Sequence, residues 1–134
     1  MKKYLLLILI TSSLHSFSQN DFEDLINKVV VSKKDSSISF VMNTLLGQGY
    51  FGYSQPDTNS RKLILFSIAN KEVKNNPFNC KYGSYYSVND AKKYFFKFSG
   101  SKNGFSEIQM IKKNKNRVKD VFYINLNYIL EENK

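Results

Sequence analysis

One histidine, one cysteine, two arginines and no tryptophan occur in the 134 residues, and each scarcity removes a class of function. A chain without imidazole has no ordinary general base near neutral pH and no nitrogen ligand for zinc. The one histidine, His15, lies inside an N-terminal segment that reads as a removable export signal, so the mature chain is expected to carry none. Triads of the Ser/His/Asp or Cys/His kind are thereby excluded. Cys80 stands alone, which excludes an internal disulfide and a zinc site built from cysteine pairs; its expected place is that of a small, partly buried apolar residue. Of the 20 cations only Arg61 and Arg117 offer the planar fork that phosphate and base-edge recognition draws on, which argues against a nucleic-acid partner. The acids are scattered. Only Asp21, Glu23 and Asp24 cluster, and that trio suits a helix N-terminus better than a catalytic pair, so no enzyme activity, metal or cofactor is expected.

What is present suffices for a core. Apolar residues make up 42% of the chain and aromatics 15%, and this length accommodates one domain. Met1 to Asn20 reads MKKYLLLILITSSLHSFSQN: two lysines, an apolar run from Tyr4 to Ile10, then Ser16 and Ser18 at the small positions a signal peptidase needs before a cut at Gln19. The apolar run covers about a third of the ~20 residues that span a bilayer, so a cleaved signal is expected in place of an anchor. No cysteine stands near the cut, which closes the route to a lipid anchor and implies a soluble product with no stable membrane insertion. The layout resembles bacterial export signals, and that resemblance implies a periplasmic or secreted location. The expected organisation is a secretory signal over residues 1–18 and a single domain over residues 19–134. Loss of Lys2 and Lys3 leaves 18 cations against 11 acids, a formal charge of +7.

From Asp21, the residues Phe22, Leu25, Ile26, Val29 and Val30 fall at helical spacing, with acids leading and Lys33 and Lys34 closing. The spacing predicts a helix over 21–33, capped by Asn20. Residues 38–46 fit a second helix through Ile38, Val41, Met42, Leu45 and Leu46, or a strand through Ile38, Phe40 and Met42; Gly47 as a stop favours the helix. A loop over 47–60 follows, and then the period changes to two. Arg61 to Lys71 predicts a central strand that is apolar on both faces and covered by the helices. Tyr82 to Val88 is a short strand, Lys92 to Ser99 a stronger one with Tyr94, Phe96 and Phe98 on one face, Phe105 to Lys113 another, and Val118 to Leu130 a long last one. Ser87 capping a helix with Val88, Ala91, Phe95 and Phe98 competes for the second of these, and aromatic density decides for the strand. Turns over 100–104 and 114–116 close two hairpins, and residues 131–134 are expected to fray. The predicted fold is α+β: one or two N-terminal helices packed on an antiparallel meander of four to five strands, an order similar to cystatin-like rolls.

Three groups of residues invite a function. Gly47-Gln48-Gly49-Tyr50-Phe51-Gly52 spells G-x-G-x-x-G with Glu72 twenty residues beyond, but phosphate binding there needs a helix after the glycines, and YSQPDTNS cannot form one. Lys112, Lys113, Lys115, Arg117 and Lys119 put five cations in eight residues at the tip of the last hairpin, where they serve solvation or dock on an acidic partner or anionic lipid. Tyr50, Phe51 and Tyr53, with Tyr82, Tyr85 and Tyr86, supply contact area at small entropic cost, or else close the open face of the sheet. Together these features lead to the expectation of a small exported binding protein, of the inhibitor or immunity type that engages another macromolecule in the cell envelope. The second expectation is a carrier of a small apolar ligand, lipid or metabolite, in a pocket lined by residues such as Phe96, Phe98, Ile108 and Phe122.

Overall fold

In the computed structural model, which describes residues 27–41 and 49–131, the chain forms two β-sheets around a shared core. Strands β1 (Lys28–Val31) and β2 (Ile38–Val41) come first, followed by β3 (Tyr50–Tyr53), β4 (Lys62–Phe66), the short helix α1 (Asn70–Asn75), β5 (Ser84–Tyr85), β6 (Tyr94–Lys102), β7 (Phe105–Lys112), β8 (Arg117–Ile124) and β9 (Tyr128–Leu130). The small sheet has the order β2-β1-β9 and the large one β5-β4-β3-β8-β7-β6. Pairing is antiparallel except for β1 with β9 and β4 with β5, which are parallel.

The α+β expectation is therefore overturned, together with the likeness to a cystatin-like roll: the sheet's inner face is covered by a second sheet and not by helices. Residues 28–31 of the helix predicted over 21–33 are β1, and residues 38–41 of the second helix are β2. Val29, Val30 and Val31 lose side-chain freedom in a helix and pack well on a pleated surface. β1 is also the central strand of its sheet, hydrogen-bonded on both sides, and its parallel partner comes from the far end of the chain. Helical spacing over a short window carries no trace of that partner. The expected signal and the Asn20 cap, with the rest of residues 1–26, lie outside the described residues, as do residues 42–48 and 132–134.

The remaining corrections are local. The loop expected over 47–60 contains β3. The strand expected from Arg61 to Lys71 stops at Phe66, because the buried Ser67 donates its hydroxyl to the Glu72 carboxylate and accepts the Ala69 N–H at 3.0 Å, which turns the chain into α1. The strand expected over Tyr82 to Val88 shrinks to two residues. The long last strand breaks at Asn125–Asn127, where the chain passes from the large sheet to the small one: the Leu126 carbonyl accepts the Ser106 hydroxyl at 2.6 Å, and the Asn127 carbonyl accepts the Val29 N–H at 3.0 Å. Both predicted hairpins, β6–β7 and β7–β8, are present. The four residues from Leu63 to Phe66 are all buried, as a strand covered on both faces requires.

Phe66 sits where the sheets meet. Its ring lies 5.0 Å from that of Phe40 on β2 and 5.5 Å, edge-on, from that of Phe96 on β6, which in turn lies 5.8 Å from Phe122 on β8. The sheets are also tied at one border, where Ser37 bridges Lys97 and the Phe98 N–H donates to the Ser36 carbonyl at 2.9 Å. Gly52 of β3 lets the side chains of its two neighbouring strands close over it: a Cβ there would lie 2.5 Å from Phe122 on β8 and 2.6 Å from Ile64 on β4. Gly52→Ala should therefore lower the free energy of unfolding by about 1–3 kcal/mol through overpacking. The opposing gain from a less flexible unfolded chain is ~0.4–1 kcal/mol, so urea titration showing a net increase in stability would mean that the core yields at this point.

Candidate functional site

The β7–β8 hairpin is closed by a turn at Asn114–Asn116, with Asn116 in the left-handed region at φ 43° and the Lys115 N–H donating to the Lys112 carbonyl at 3.2 Å. Register does the rest. Lys112 pairs with Arg117 across the hairpin and with Tyr94 on β6, and the Lys113 N–H donates to the Lys93 carbonyl at 3.1 Å. The expected group of Lys112, Lys113, Lys115, Arg117 and Lys119 is thereby joined by Lys92 and Lys93. Two concavities flank this sheet end: one of about 230 Å³ lined by Lys112, Lys115, Arg117, Val118 and Lys119, and one of about 340 Å³ lined by Lys92, Lys93, Lys112, Lys113 and Asn114. Among the described residues no carboxylate lines either one, and the one ion pair, Lys81–Asp120 at 3.4 Å, lies outside the cluster. Val118, 46% exposed, is an apolar point among these charges. Lys92 and Lys93 were not singled out by sequence reasoning, since only the β6–β7 register brings them to the hairpin.

Tyr82, Tyr85 and Tyr86 do not share one face. The Tyr82 hydroxyl donates to Asp120 Oδ2 at 2.6 Å, the Tyr85 hydroxyl to the Tyr82 carbonyl at 2.8 Å, and the exposed Tyr86 to Asn70 Oδ1 at 2.6 Å. Tyr82 and Tyr85 pack against the core, so two of these three recognition candidates serve the interior. Burial opposes ionisation of Asp120, but the Tyr82 hydroxyl, the Val121 N–H and the Lys81 ammonium outweigh it and hold the carboxyl below its ordinary range. Of the side chains expected to line a ligand pocket, Phe96, Ile108 and Phe122 are buried in the core, and Phe98 packs against Tyr128 in a tilted pair with centroids 4.3 Å apart.

No protein-family model, curated protein or solved structure matches this chain.

Tyr50, Phe51 and Tyr53 do come together, with Asn27, Asn125 and Leu126, around a groove of about 190 Å³. Tyr50 is buried: its ring stacks on Phe40 at 5.7 Å and its hydroxyl donates to Asn27 Oδ1 at 2.6 Å. Phe51 meets Phe78 edge-on at 4.9 Å, with the Lys62 ammonium 4.4 Å from its centroid. Burial raises the phenols of Tyr50 and Tyr53, the latter with a contribution from Cys80, so both stay protonated at neutral pH. Cys80 is buried, and its thiol is raised by that burial against the pull of Lys62, which leaves it a poor nucleophile. Gly52, the last glycine of the G-x-G-x-x-G match, lies inside a strand and not before a helix. Among the described residues no three His, Cys, Asp or Glu side chains converge as metal ligands would, and no helix is long and apolar enough to cross a membrane.

Asp120 gives this region a pH signature. A carboxyl with a depressed folded pKa contributes stability that is complete above its unfolded value of about 4 and is lost as the pH falls through the folded one. Tyr82→Phe should cost roughly 1 kcal/mol at pH 7, the hydrogen bond being partly exposed to water. Urea unfolding of parent and variant should then converge as acid protonates Asp120; a gap independent of pH would assign the loss to packing of the ring.

Proposed function

We propose that this chain is an exported binding protein of the inhibitor or immunity type that docks on an acidic face of another protein through the basic end of its six-stranded sheet. The reading is carried by one observation: seven cations crowd two adjoining concavities with no acid lining either of them among the described residues. Like charges gathered in this way repel one another, and a partner's carboxylates relieve that repulsion. Lysine predominates there. Its compact, hydrated charge supports long-range steering more than planar, bidentate recognition, which fits a broad acidic protein surface. Exposed Val118 supplies the apolar contact that an interface centre needs, and two antiparallel partners of β7 hold the end rigid.

The triple variant Lys113→Ser, Lys115→Ser, Arg117→Ser tests this. Its stability should stay within ~0.5 kcal/mol of the parent, as for exposed charges in general. Parent protein immobilised against envelope extract should retain an acidic protein that the variant loses, and the on-rate for that partner should fall by about tenfold at low salt and converge with the parent's at high salt. Equal retention and equal rates at every ionic strength would reduce the cluster to a solvated turn.

A further inference from the structure

The groove beside β3 arises from a mismatch of strand lengths. β3 spans Tyr50–Tyr53, but it pairs with β8 only through Gly52 with Ile124 and Tyr53 with Tyr123. β8 ends at Ile124, and the chain then leaves for the small sheet through Asn125, Leu126 and Asn127. Among the described residues Tyr50 and Phe51 thus have no strand partner on that side, and the space they border is the groove. Its walls are fixed in advance: the Ser106 hydroxyl holds the Leu126 carbonyl, the Val29 N–H holds the Asn127 carbonyl, and the Tyr50 phenol holds the Asn27 carboxamide oxygen. A preformed cleft binds without first having to order itself.

Its chemistry is unlike that of the rest of the molecule. Among the described residues that line it, none carries a charge, in a chain of which 23% is charged. Three are aromatic and two, Asn27 and Asn125, are carboxamides. An ionic ligand finds no counter-charge in this lining, and a purely apolar one makes no use of the exposed Asn125 carboxamide or of the Asn27 amino group. A ligand with an apolar face and a ring of hydroxyls suits both kinds of group: C–H bonds lie on the aromatic surface, while Asn125 offers a donor and an acceptor in one plane and Asn27, whose oxygen already accepts from the Tyr50 phenol, offers its amino group. Size narrows the choice further, because about 190 Å³ is below the ~300 Å³ at which pockets for drug-sized molecules begin. A lipid or a dinucleotide is too large; one sugar ring is not.

We propose that this groove binds one ring of a neutral glycan, with Tyr53 and Phe51 supplying aromatic contact and Asn27 and Asn125 pairing with hydroxyls. The site is independent of the basic hairpin, which lies at the other end of β8. Its test is amide-resolved NMR titration of the purified chain with cellohexaose, maltohexaose and chitohexaose, each at millimolar concentration. At least one should shift the amides of Gly49, Phe51 and Asn125, at low and high salt alike. Tyr53→Ala and Asn125→Ala should each weaken binding by about tenfold. Tyr53 also packs against Phe105, so Asn125→Ala, on an exposed corner, keeps the test valid if the tyrosine variant unfolds. The charge variant Lys113→Ser, Lys115→Ser, Arg117→Ser should bind the sugar as the parent does, which separates this site from the protein-docking one. Silence with all three sugars, shifts confined to other surfaces, or unchanged affinity in Asn125→Ala would each overturn the assignment.

Discussion

Contact between Phe66 and Phe40 decides whether this chain has one core or two half-buried sheets. A sheet of three short strands has to bury its apolar face against another layer. The large sheet covers it, and Phe66 is the residue whose ring reaches both Phe40 from the small sheet and Phe96 from the large one. Val29, Val31 and Ile38 are buried in the same cluster as Phe122 and Ile124. The corner at Asn125–Asn127 follows from that contact. The chain has to cross from one layer to the other there, and only with the layers in register do the Ser106 and Val29 anchors meet their carbonyls.

β8 relates the two candidate surfaces. It begins in the basic turn and ends at the neutral groove, and eight residues of strand at ~3.3 Å each place them roughly 26 Å apart on a strand paired with β7 along its length and with β3 at its far end. Their chemistry differs in range as well as in sign. The charge cluster acts over about a Debye length and weakens with salt, whereas the groove acts only on contact and is indifferent to it. A molecule with both can approach one surface through the field of its lysines while holding another through close fit.

The parts legible in the sequence were those whose cause is local. Phe105 to Lys113 alternates because β7 has one face to the core, and Asn114 to Asn116 turns because asparagine tolerates positive φ. The buried run at Leu63 to Phe66 showed itself as apolar on both faces. The small sheet stayed hidden because its central strand is matched by residues at the other end of the chain, and a three-valine run was the only nearby hint. The candidate surfaces divide in the same way. Five cations of the basic end are contiguous and were readable; Lys92 and Lys93 join them through register alone. Tyr50, Phe51 and Tyr53 were singled out as aromatics, but that they border a gap left by a shorter neighbour is a fact about β8, and Asn125 carries no mark of it.

The parallel pairing of β1 with β9 also orders the molecule in time. A ribosome delivers β1 among the first of the described residues and β9 among the last, so the centre strand of the small sheet must wait for most of the described chain before its second edge is satisfied. Contacts of such long sequence separation are slow to form and leave apolar surface open in the interim. A chain cut before Tyr128 is therefore not a shortened form of this fold. It is one whose Val29 and Val31 lie in a strand with a bare edge, ready to pair with whatever strand arrives first.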